Sequence, residues 1–181
     1  MAEHVPPQPD RSRMTDFAGH PLVVGVVPDQ SPLVALAAVS LARATGAPAL
    51  YFAYVDASRY ADLEHPDGTV RHLSIDPDID DEQWPEREAA LVELVREWMA
   101  DEDLPWHFRY LAGRPDRALT HLARAVDAAA FVVGSHVRRH HRRLTDFVNG
   151  SVSMQLSHRQ HRPVVVVPLS VVDWEGRAPW E

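Results

Sequence analysis

Four short, unbroken apolar runs rich in valine, alanine and phenylalanine, at residues 21–27, 49–55, 130–134 and 163–168, constrain the fold of this chain more than any other feature. A strand with one face in water alternates apolar and polar residues, whereas an unbroken run of this length needs burial on both faces, as in a parallel sheet between helical layers. A fifth segment, 106–111, alternates and reads as a half-buried strand.

Between the runs the apolar period changes to that of a helix. Val34, Ala37, Ala38 and Leu41 recur at helical spacing after Ser31, a candidate N-cap, and Pro32, suited to a first helical position; Gly46 supplies the stop. Leu91, Leu94, Val95, Trp98 and Met99 mark a second helix, and Leu119, Leu122, Ala123 and Val126 a third, entered through Gly113-Arg114-Pro115-Asp116. Gly150-Ser151 opens a fourth that runs to about Gln160. Residues 56–83 read as a long irregular connection, a surface segment or lid, with a short ribbon at 69–75.

Five strands alternating with four helices predict an α/β fold: a doubly wound open sheet of five parallel strands in the order 3-2-1-4-5, with helices on both faces and right-handed crossovers. Ligands bind such sheets beyond the strand carboxyl ends, where the winding reverses, here between strands one and four. Asp29 and the loop after Gly134 should face each other across that crevice.

A length of 181 residues suits one domain, assigned to residues 21–169 between a mobile leader, 1–20, and a tail, 170–181. Cysteine is absent and all 18 basic residues are arginine. That excludes disulfides, thiolate nucleophiles, Cys-based zinc sites, Schiff-base lysines and the lysine of a Walker A loop or protein kinase. No stretch has the character of a signal peptide or a membrane span, so a cytoplasmic protein is expected.

The net charge of −8 argues against a general nucleic-acid binder, but it is unevenly distributed. Residues 56–103 hold 16 acids against 4 arginines, whereas 134–163 holds 6 arginines, 5 histidines and one acid, Asp146. An anionic ligand should favour the second segment. His136, His140, His141, His158 and His161 lack the carboxylate partners and convergent spacing of a metal site, and none is assigned. Ser135 and Ser151 stand in no nucleophile elbow, so no catalytic residue is assigned either.

The run Phe131-Val-Val-Gly-Ser-His, then Asn149-Gly-Ser-Val-Ser, then His161-Arg-Pro-Val-Val-Val-Val-Pro168 resembles the C-terminal half of universal stress proteins. Asp29 after strand one, Val55 ending strand two and the turn at 113–118 extend the likeness over residues 21–169. In the ATP-binding branch of that family, strand four leads into Gly, two residues, Gly, nine residues, then Gly followed by Ser or Thr. Glycine amides there approach phosphate oxygens, and a hydroxyl and a helix N-terminus complete an anion site without lysine. The resemblance implies a regulatory or stress-response protein that binds adenine nucleotide, ATP with Mg included, or a related anion, with slow ATP hydrolysis as its upper limit of enzymatic activity. By the same resemblance Gly134, Ser135, Gly150 and Ser151 lie on the phosphate side, Asp29 contacts ribose or adenine, and Val55 offers its backbone to adenine.

The loop departs from that pattern twice. Val137 stands at the second glycine position, and twelve residues rather than nine separate it from Gly150. A β-branched side chain resists φ > 0 and fills space that a phosphate would use. The inserted sequence, Arg138-Arg139-His140-His141-Arg142-Arg143, offers guanidinium groups in compensation, each able to pair bidentately with phosphate. The alternative is a branch that binds no nucleotide and acts as a dimeric protein-interaction module. In either case the last strand, Val164 to Val167, is an apolar sheet edge through which a homodimer is expected.

Overall fold

The computed structural model of the chain describes residues 10–76, 83–135 and 152–169. In chain order its elements are β1 (Leu22–Gly25), α1 (Leu33–Thr45), β2 (Leu50–Asp56), β3 (Arg59–Glu64), β4 (Val70–Ser74), α2 (Trp84–Trp98), β5 (Trp106–Ala112), α3 (Pro115–Ala125), β6 (Ala130–Gly134), α4 (Val152–Arg159) and β7 (Val164–Val167).

The main sheet has the strand order β5-β2-β1-β6-β7, and every neighbouring pair is parallel. Renumbered without the β3–β4 pair, this is 3-2-1-4-5, the order expected from the sequence. β1 lies at the centre, with Leu22 opposite Leu50 on one side and Ala130 on the other. Its Leu22, Val23 and Val24 are fully buried, which explains why this run carries no polar residue.

Successive side chains of β1 feed two different cores. Leu22 and Val24 join Phe52, Val34, Ala38, Leu91 and Val95 under α1 and α2. Val23 joins Phe131, Leu119, Leu122 and Leu156 under α3 and α4. Full burial of large side chains such as Phe52 and Phe131 contributes about 1.5–3 kcal/mol each. Phe17, within the expected leader, packs against the first of these cores.

The helix boundaries have local causes. α1 stops at Gly46, whose φ of 64° is left-handed, with its amide donating to the Ala42 carbonyl. Its start lies one residue later than the capping argument predicts: Pro32 carries the first acceptor, bonded to the Leu36 amide at 2.9 Å, and the Ser31 hydroxyl only meets the Leu33 amide at 3.4 Å. α3 begins with Pro115 in its first turn, as read from the sequence.

The connection after β2 is more ordered than its composition suggests. β3 and β4 form an antiparallel hairpin, with Tyr60 opposite Leu73 and a register shift between Ala61 and Leu63. β3 escapes a hydrophobic-pattern reading because its buried residue is a cation: Arg59 donates through Nε to His72 Nδ1 at 2.7 Å and lies over the Trp84 ring. Trp84 stands edge-on to His72 and close to Tyr110. At the hairpin turn Gly68 presses on Leu122, where a Cβ would come within 2.5 Å of Leu122 Cδ1.

Candidate functional site

At the carboxyl end of the sheet, β1, β2 and β6 finish around a crevice of about 530 Å³. That size suits a small organic ligand. Asp29, Val55, Gly134 and Ser135, four of the residues singled out from the sequence, all line it. Val137, Arg138, Arg139, Arg142, Arg143, Gly150 and Ser151 lie outside the described residues.

The loop that follows β1 is held open by Gln30. Its side chain is buried; Oε1 accepts from the Val27 amide at 2.8 Å and Nε2 donates to the Gly25 carbonyl at 3.4 Å. The side-chain amide thus replaces backbone partners that a tight turn would lack. Asp29, at the apex, is exposed and has φ 58°, a left-handed conformation that aspartate tolerates better than most side chains. Among the described residues it is the one carboxylate in the lining.

Opposite, β6 ends in Gly134. A Cβ there would lie 2.6 Å from Leu169 Cδ1 and 3.3 Å from Val34 Cγ2, so the absence of a side chain is what lets α1 and Leu169 close over this strand end. Ser135 fastens the closure: its amide donates to the Val167 carbonyl at 2.7 Å and its hydroxyl accepts from the Leu169 amide at 2.8 Å. The hydroxyl keeps its own proton to donate.

The remaining wall is mostly carbon, from Val26, Ala53, Pro115, Leu119, Val133 and Leu169, with Ser31 and Ser153 as polar points. An apolar slot with a few polar groups at its rim suits a flat ring that carries a polar extension. Gln30 and Leu169 were not singled out from the sequence, and Leu119 only as part of a helix. Nothing local marks Gln30 over its neighbours Asp29 and Ser31, or Leu169, whose position depends on the β6–β7 pairing.

The end of β2 is anchored by a charge cluster. Asp56, next to Val55, is buried and accepts from the Ser58 amide (2.9 Å) and hydroxyl (2.6 Å), the Tyr110 hydroxyl (2.6 Å) and Arg87 Nη1 (2.7 Å). Burial pushes its pKa up, but the hydrogen bonds from Ser58 and Tyr110 and the charge of Arg87 outweigh that and hold the carboxyl below its ordinary value. Burial and the same hydrogen bond to Asp56 raise the Tyr110 phenol. The cluster fixes the strand end from which Val55 faces the crevice.

Among the described residues no helix is long and apolar enough to cross a membrane. No curated protein matches the chain. Among solved structures, the universal stress protein of Archaeoglobus fulgidus is 21% identical, with a TM-score of 0.57 over 82% of this chain and 98% of its own. A structure of the protein from that organism in complex with dAMP aligns with a TM-score of 0.54 at 20% identity, covering 82% of this chain and 97% of that one. A universal stress protein in complex with cAMP aligns with a TM-score of 0.55 at 22% identity, over 84% and 99% of the two chains. At such identities these likenesses speak for the fold. The model of the universal stress protein family matches residues 20–168, which takes in all five strands of the main sheet and, apart from Leu169, the described lining of the crevice. By that match this chain belongs to the universal stress protein family.

Proposed function

We propose that the chain is a regulatory, stress-response binding protein that takes an adenine nucleotide in the crevice between β1 and β6. The observation that carries this reading is the convergence of Asp29, Val55, Gly134 and Ser135 on one apolar slot of about 530 Å³. Two universal stress proteins of the same fold bear dAMP and cAMP. The adenine ring would lie against the carbon wall near Val55, with its ribose at Asp29 and its phosphates directed past Gly134 and Ser135. Phosphate charge would be met by the segment that carries Val137, Arg138, Arg139, Arg142, Arg143, Gly150 and Ser151, and Mg would accompany a triphosphate.

The fit is better for the base than for a polyphosphate. The described lining has no cation, and Leu169 covers Gly134 with carbon, so binding energy in this part of the site comes from apolar burial. The protein is cytoplasmic and dimeric in this reading. β7 is an edge strand on which Val165 and Val166 remain 37% and 44% exposed, an apolar edge suited to pairing with a second copy.

Denaturing freshly purified protein and identifying released nucleotide, together with calorimetry against AMP, ADP and ATP with and without Mg, tests the reading. Retention or micromolar binding of an adenine nucleotide is expected. Failure under every condition would leave the dimeric interaction module as the function, and a monomer in sedimentation would remove the dimer.

A further inference from the structure

The helix that backs the crevice has a second cleft on its other side. Pro115 and Leu119 of α3 line the crevice, whereas Arg114, Arg117, His121 and Arg124 line a separate cleft of about 680 Å³ that shares no lining residue with it. Spacings of four and three residues set Arg117, His121 and Arg124 along one face of α3, and Arg114 stands at its N-cap. Arg159, from the last turn of α4, completes the group, and the hairpin strand β3 forms the far wall with Tyr60 and Glu64.

The charge of this cleft is opposite in sign to that of the chain. Four guanidinium groups face two carboxylates, Asp116 and Glu64, in a protein of net charge −8. Asp116 is 2% exposed and is used up as an internal clamp: it accepts from Arg114 Nε (3.2 Å) and Nη2 (2.9 Å) and from Arg159 Nη1 (3.1 Å). That buried carboxylate fixes two arginines at the mouth. Glu64 meets His121 Nδ1 at 3.0 Å on the rim. Arg117 and Arg124 are exposed and have no carboxylate partner among the described residues.

We propose that this cleft is a second anion site, for a small molecule carrying two or more linked phosphate groups. Arg117 and Arg124 are seven residues apart, roughly 10 Å along the helix axis, an interval that linked phosphates can bridge. Each guanidinium can take two oxygens in a planar fork. Among the described residues the cleft offers a single tyrosine ring, Tyr60, and not the run of stacking platforms with which proteins hold single-stranded nucleic acid. The site is independent of the nucleotide reading of the crevice.

Calorimetric titration of the full chain with tripolyphosphate at low salt tests this. Binding is expected to fall at least about tenfold in the Arg117→Glu, Arg124→Glu double variant, which alters exposed positions only, with the thermal melt unchanged. It is expected to survive replacement of Arg138, Arg139, Arg142 and Arg143 by Gln. Loss on the loop substitutions with retention in the helix variant overturns the proposal, as does absence of binding by the unaltered chain. Tighter binding of a single-stranded oligonucleotide than of tripolyphosphate, abolished by the same double variant, overturns the small-molecule assignment.

Discussion

The two sides of α3 could hardly differ more for a single helix of 11 residues. Towards the sheet end it offers Pro115 and Leu119 to a crevice walled by carbon with one carboxylate at its lip; away from it, it offers Arg117, His121 and Arg124 to a cleft walled by cations. The fold supplies the first hollow, because strand ends must diverge where the winding reverses. Side chains alone supply the second, since nothing in a doubly wound sheet requires guanidinium groups there. An apolar slot gains from a ring, and a cationic cleft from phosphate, so the comparison separates base recognition from charge recognition in space.

The largest test of that separation attacks the wall common to both. Leu122 is fully buried behind α3 and carries the hairpin turn at Gly68. Leu122→Ala should cost about 2–5 kcal/mol in urea unfolding and weaken ligand binding on both sides together. A loss confined to one side would show that the two hollows do not depend on one helix position.

Asp116→Ala should act on the cleft alone. It leaves Arg114 and Arg159 without their shared carboxylate, and because both arginines are about half exposed the loss should be about 1–3 kcal/mol of stability. AMP binding in the crevice should be unchanged in calorimetry. The converse substitution is Asp29→Ala, which should reduce AMP affinity about tenfold, or about 1.4 kcal/mol, while leaving tripolyphosphate binding as it was.

The smallest expected effect is a pH dependence centred on the β3–β4 hairpin. Burial, with the charge of Arg59 and against that of Asp56, lowers the His72 pKa below the ordinary imidazole value of 6.5. The unfolded chain therefore takes up the proton first, and stability is lost as pH falls from about 6.5 through the folded value. Protonation would also place a proton on the nitrogen that accepts from Arg59, next to Trp84 and Tyr110. Asp56 adds a loss of the same sign below its ordinary value of 3.8. Hydrogen-exchange protection factors in β3 and β4 should fall as the pH is lowered from 7 to 5 while those of β1 and β6 hold, and His72→Gln should flatten the change. His161, whose pKa burial also lowers, keeps some slope in the global melt.

The main sheet was legible because its strands are buried on both faces and its helices on one, so each leaves a period in the residues themselves. The β3–β4 hairpin was not, since Arg59 sits inside it by virtue of partners 13 and 25 positions away, His72 and Trp84. The same limit applies to the site. Asp29, Val55, Gly134 and Ser135 lie at strand ends, where topology alone brings them together. Gln30 acts through its own turn and Leu169 through a neighbouring strand, and neither leaves a pattern. The basic stripe on α3 was present in the spacing of Arg114, Arg117, His121 and Arg124, but it became a cleft only when the hairpin closed its far side.

The most direct measurement is a residue-resolved NMR titration of the full chain with AMP. The account predicts that the amides of Gly25, Asp29, Val55, Gly134 and Ser135 shift together with one saturation curve, while those of Arg117, His121 and Arg124 remain still. Shifts centred on the α3 arginines with a silent strand-end crevice, or no shifts at millimolar AMP, would contradict it.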